Sequence, residues 1–150
     1  MHAADFFLSC AGGAGEAVPR IDAGAKSRGD FAVIHPFSGS ARKNWPLNHF
    51  QELATRLPFP VRWCAGPDEV LEDAVRFESL WELARWLATA RLYIGNDSGI
   101  THLAAAVGTP AVAVFIGSDP AVWAPRGARV EVVNGQSVNE VWDAVARVLS

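Results

Sequence analysis

The 150-residue chain has little of several things, and each scarcity excludes a class. It holds only two cysteines, Cys10 in a Gly/Ala stretch and Cys64 at the end of an apolar run. Two such residues make neither a disulfide framework nor a zinc site, and a reducing, cytoplasmic setting is the expectation. Under a fifth of the residues are charged, the formal net charge is -3, and no long run of one sign occurs. A nucleic-acid partner would call for a basic excess or stripe, so none is expected. No apolar run approaches the length of a membrane span, and the N-terminus lacks the basic region and apolar core of a secretory signal. Half of the residues are hydrophobic, enough for one domain with its own core.

Residues 1–30 read as a linker or tail, with the Gly/Ala-rich Cys10–Gly15, the small, polar Ala23–Asp30 and one apolar piece, Phe6-Phe7-Leu8. Regular patterning begins at Phe31. Short apolar runs at 31–35, 61–64, 75–77, 92–94, 111–116 and 130–133 read as six strands. Between them lie a helix from about Asn48 to Leu57, a short helix over Glu69–Ala74, a helix capped by Ser79, one from Ser98 to Val107 stopped by Gly108, and a last one starting at Ser137. Buried strands alternating with amphipathic helices predict an α/β fold, a Rossmann-like doubly wound parallel sheet in the order 3-2-1-4-5-6. Ligands of such sheets bind outside the carboxyl ends of the strands, where the order reverses. Two unusual loops fall at those ends.

The first runs from His35 to Pro46. Ser38, Gly39 and Ser40 let the backbone approach a ligand closely, Arg42 and Lys43 add positive charge, and a helix N-terminus follows, a combination suited to phosphate oxygens. An ordinary solvated loop fits these residues equally well. The Gly-Lys-Ser/Thr ending of a Walker A loop is missing. The second loop, Gly95-Asn96-Asp97-Ser98-Gly99-Ile100-Thr101-His102, turns a strand into a helix. Ser98 and Gly99 offer N–H groups to an anion, whereas the Asp97 carboxylate would repel phosphate and accept sugar hydroxyls. A ligand carrying both groups is implied. The competing reading makes Asp97 or Ser98 a helix cap and His102 structural. Gly117-Ser118-Asp119-Pro120 lies at a third carboxyl end, with Ser118 as a candidate cap, and could wall the same cleft. Trp81 and Trp123 fit no core stripe; they face either another domain or a covering loop.

These segments resemble glycosyltransferase family 9, whose best-known members are the ADP-heptose:lipopolysaccharide heptosyltransferases. The likeness rests on Lys43-Asn44-Trp45-Pro46, on Asp97-Ser98-Gly99-Ile100-Thr101-His102, and on Gly108-Thr109-Pro110 leading to Gly117-Ser118-Asp119-Pro120. The chain departs from the family loop at Phe37-Ser38, where Thr or Gly is common. The resemblance implies one half of a GT-B type enzyme, with residues 31–150 as the donor-binding domain and residues 1–30 as a remnant of the interdomain connection. It implies that Ser38, Gly39, Ser40 and Lys43 meet the diphosphate of an ADP-linked sugar, with Lys43 stabilising the leaving group. Asp97 would hold sugar hydroxyls, Ser98 and Gly99 would supply backbone donors, His102 would support the site, and Glu69 or Glu72 would hold the ribose. It further implies inverting, metal-independent transfer without a cofactor. The catalytic base and the glycan or lipid-linked acceptor would belong to the other half, and the whole enzyme would work in lipopolysaccharide or cell-surface glycan synthesis, at most peripheral to the inner membrane. The alternatives from other classes are a non-catalytic nucleotide or sugar-phosphate binding module and half of a GT-B-like nucleotide-sugar epimerase.

Overall fold

The computed structural model describes residues 1–12, 15–135 and 137–150. Gly13 and Ala14, within the Gly/Ala stretch noted above, lie outside the described residues, as does Gln136. Five parallel strands form one sheet: β1 (Ala32–His35), β2 (Val61–Trp63), β3 (Leu92–Asn96), β4 (Ala111–Phe115) and β5 (Val130–Asn134), in the order β2-β1-β3-β4-β5. Strands β1, β3 and β4 are buried at every position, without alternation, because helices cover both faces. Even-numbered residues such as Ile34, Ile94, Val112 and Val114 meet α2 (Leu47–Arg56) and α6 (Val138–Leu149). On the other face, Val33, Tyr93 and Ala111 meet α3 (Leu80–Ala88) and α4 (Gly99–Ala106).

The elements start and stop where local chemistry directs. Ser79 caps α3 by accepting the N–H groups of Trp81 and Glu82, and Ser137 caps α6 through Glu140 N–H. Gly108 ends α4 in the left-handed region, at φ 85°, where a side chain is strained.

Two expectations are corrected. The third of the six strands is reduced to a single parallel bridge, Cys64 with Val75, on the side of β2 away from β1; Ser79 starts a helix only four residues beyond Val75. Counting that bridge, the order 3-2-1-4-5-6 stands. No helix forms over Glu69–Ala74. Tight turns at 67–68 and 72–73 replace it, Asp73 sits at φ 58°, and the Glu69 side chain folds back onto Gly66 N–H.

The segment before β1 includes a helix, α1 (Ala3–Cys10), and a path held to the body. Asp5 pairs with Arg126 at 2.6 Å, Ile21 N–H donates to Ala106 O, and Gly29 N–H donates to Thr89 O. A short α5 (Pro120–Trp123) lies beside α1. Among the described residues, no helix is long and apolar enough to cross a membrane.

Candidate functional site

The chain leaves β1 toward β2 on one side and returns to β3 on the other, so the order reverses between β1 and β3. Three loops converge there. In the first, the Ser38 hydroxyl is held between Ser40 O (2.6 Å) and Asn44 Oδ1 (2.7 Å). Ser40 caps a 3₁₀ turn, Ala41–Lys43, by accepting Arg42 N–H. Trp45, 1 % exposed, packs edge-on against Phe50. Its backbone N–H donates to Asn96 Oδ1 at 2.9 Å, tying this loop to the end of β3.

In the second loop the roles of neighbours separate. Ser98 is the cap of α4, accepting Thr101 N–H; Asp97 caps nothing and is buried. Asp97 Oδ2 accepts the Ser118 hydroxyl at 2.7 Å and lies 3.6 Å from Lys43 Nζ. Lys43 and Asp97 therefore sit together rather than on opposite edges of the sheet. In the third loop Ser118 is not a cap as expected: its hydroxyl is committed to Asp97, and Asp119 caps α5 through Ala121 N–H.

An open cleft of about 680 Å³ lies beside these loops, lined by His35, Ser38, Gly39, Glu69, Ser98, Gly99 and His102 among others, with Pro19, Ile21, Leu80, Ile100 and Leu103 supplying apolar wall. Mostly apolar walls with a few placed polar groups are usual for small-molecule sites. Among the described residues, a β-carbon at Gly39 or Gly99 would meet nothing within 4 Å, so the backbone is open at both. Lys43, Ser40 and Asp97 flank the cleft and are not part of its lining; Glu72 is exposed and likewise outside it. His102 also lines a second cavity, of about 680 Å³, between α1 and α5. Packing around its ring lowers the His102 pKa against the pull of Asp97.

Sequence reasoning passed over His35 as a site residue. It ends β1 at 2 % exposure, and its Nε2 lies 2.8 Å from Glu69 Oε1. The same carboxylate oxygen accepts Gly66 N–H at 2.6 Å. Burial pushes the His35 pKa down, outweighing Glu69. A carboxylate oxygen only accepts, so Nε2 is the donor of this contact. A polar residue closing an apolar strand at its carboxyl end was the available signal. Trp81 and Trp123, at 53 % and 48 % exposure, are not buried under a loop. Among the described residues no group of three or more His, Cys, Asp or Glu could hold a metal ion.

A doubly wound parallel sheet with its cleft at the β1/β3 reversal defines the class: a Rossmann-like α/β fold whose ligands bind at the carboxyl ends of its strands. Residues 78–144, from just before α3 into α6, match the sequence model of glycosyltransferase family 9 (heptosyltransferase). No curated protein matches at a significant level. Solved structures of similar fold include Escherichia coli heptosyltransferase WaaC with ADP (TM-score 0.65, 23 % identity, 90 % of this chain and 51 % of that one). The E. coli ADP-heptose lps heptosyltransferase II aligns with TM-score 0.69 and 18 % identity, over 99 % of this chain and 52 % of that one. A family 9 glycosyl transferase from Veillonella parvula aligns at 0.66 and 22 %, over 97 % and 50 %. This chain thus spans about half the length of the solved structures it matches.

Proposed function

We propose that this chain is the donor-binding half of an inverting, heptosyltransferase-like glycosyltransferase that uses an ADP-linked sugar. The observation that carries the reading is that Ser38, Gly39 and the N-terminus of α4 line one cleft, with the Lys43–Asp97 pair beside it, in a chain of which residues 78–144 match the family 9 model. One structure of similar fold was solved with ADP. The open backbone at Gly39 and Gly99 suits phosphate oxygens at a helix N-terminus. Lys43, one-third exposed, is free to turn from Asp97 toward a diphosphate. There it would offset the charge that grows on the leaving group. Asp97 would take sugar hydroxyls. Glu69 lines the cleft beyond β2 and would hold the ribose, as an acidic residue does in doubly wound nucleotide sites; exposed Glu72 lies outside that lining.

In this reading an acceptor hydroxyl attacks the anomeric carbon from the face opposite the diphosphate, after deprotonation by a base from the other half. No metal or cofactor is assigned a part, and the acceptor is a cell-surface glycan or its lipid-linked precursor. Titration calorimetry with ADP, and a transfer assay on the same chain, test this. Weak ADP binding without sugar transfer is the expected result. No binding of any nucleoside diphosphate, or robust transfer by this chain alone, would overturn it.

A further inference from the structure

We infer that His35 is a positioning residue for nucleoside recognition: it fixes the Glu69 carboxylate so that its second oxygen meets a ribose diol. The inference rests on the donor-binding reading and names a residue that the reading leaves without a role. Glu69 Oε1 is occupied twice, by His35 Nε2 at 2.8 Å and by Gly66 N–H at 2.6 Å. Two donors on one oxygen set the carboxylate plane and leave Oε2 as the acceptor available to a ligand. A vicinal diol presents adjacent O–H donors and so matches a held carboxylate oxygen.

His35 is suited to this task because its position and proton are both determined. Its backbone belongs to the centre of the sheet, in register with Gly95 of β3. Its Nδ1 is buried and has no hydrogen-bond partner among the described residues. A proton there would be a buried donor with nowhere to go, so the single N–H is at Nε2, facing Glu69. Glu69 itself stands on an irregular segment between Gly66 and Val75, where the third strand is reduced to one bridge. Without His35, the carboxylate is anchored by Gly66 N–H alone and can rotate.

Two measurements test the proposal. The first is the ring tautomer of His35 in the unmodified chain, read by nitrogen-15 NMR of the imidazole at pH 7. A neutral ring with its proton on Nε2 is expected; a proton on Nδ1, or a doubly protonated ring, overturns the contact and with it the proposal. The second is the affinity ratio between ADP and 2′-deoxy-ADP. A charge-assisted hydrogen bond to the 2′-hydroxyl should make ADP bind about tenfold more tightly. In His35→Leu the ratio should fall to about one to two, with 2′-deoxy-ADP affinity unchanged. His35→Gln, whose amide donor replaces Nε2, should restore the preference. A His35→Leu chain that keeps a native circular dichroism spectrum and the full ratio would overturn the proposal. Should His35→Leu not fold, the same comparison is made with His35→Asn, whose shorter amide falls short of Glu69. Failure of the unmodified chain to bind ADP would instead count against the donor-binding reading, and the tautomer then decides the His35 contact separately.

Discussion

Lys43 Nζ stands 3.6 Å from Asp97 Oδ2, so the cation assigned to the diphosphate and the carboxylate assigned to the sugar form an ion pair with each other. In the proposed donor-binding reading, these partners exchange when the ligand binds. The Ser118 hydroxyl, 2.7 Å from the same Asp97 oxygen, remains to hold the carboxylate when Lys43 turns away.

That exchange gives opposite expectations for the two side chains. Lys43→Ala removes a charge-assisted contact, so ADP binding should weaken about tenfold or more. Asp97→Asn releases Lys43 from a partly exposed pair worth roughly 0–1 kcal/mol. ADP affinity should therefore stay constant or rise up to about fivefold, while the intact ADP-sugar binds more weakly. Calorimetry with both ligands on both variants separates the cases. Equal weakening of both ligands by Asp97→Asn would remove the sugar role of Asp97.

Gly95 should tolerate no side chain. A β-carbon there would overlap the Tyr93 hydroxyl and lie 2.8 Å from Thr101 Oγ1. Tyr93 and Thr101 are both completely buried and hydrogen-bonded to each other at 2.8 Å. Gly95→Ala should cost about 1–3 kcal/mol as overpacking, read from urea unfolding, and adding Tyr93→Phe should recover part of it. A stability equal to the parent chain would show that this corner of β3 yields easily.

Docking of α1 should depend on pH through Asp5. The Arg126 guanidinium, with Ala17 N–H, holds the Asp5 carboxyl at about 2, below its ordinary value. A depressed folded-state value means that the contribution is complete above the unfolded value, roughly 4, and is lost as the pH falls through about 2. Amide chemical shifts of Ala3–Cys10 should accordingly move between pH 4 and pH 2, and in Arg126→Ala they should already differ at pH 7. Shifts unchanged in both experiments would show that α1 is held by its apolar contacts alone.

Much of the sheet was legible because its strands are buried on both faces and so read as unbroken apolar runs, as in Ala111–Phe115. Caps at Ser79 and Ser137 were legible because a hydroxyl before a periodic stretch has few other uses. The helix expected over Glu69–Ala74 was not, because the side chain of Glu69 is engaged by Gly66 and His35, contacts that no local pattern encodes. The meeting of Lys43 with Asp97 was inferable from topology. The commitment of Ser118 to Asp97 was not, since a serine before Asp-Pro reads equally well as a cap. His35 was hidden by its own burial, being at once the end of an apolar strand and a member of the cleft.

Arg28 has a consequence for where this folding unit can be cut. Its guanidinium donates to Ala88 O and Ala90 O after α3, and to Gly108 O just past α4. Carbonyls at helix C-termini carry partial negative charge, so one side chain joins the ends of two helices, and the opposite end of α4 faces the cleft. Ile21 N–H and Gly29 N–H bond to the same two helix ends. A fragment started at residue 31, where the regular pattern begins, would keep every strand but lose this fastening, and α3 and α4 would be free to splay. A minimal fragment for crystallisation or ligand screening should therefore begin before Ile21.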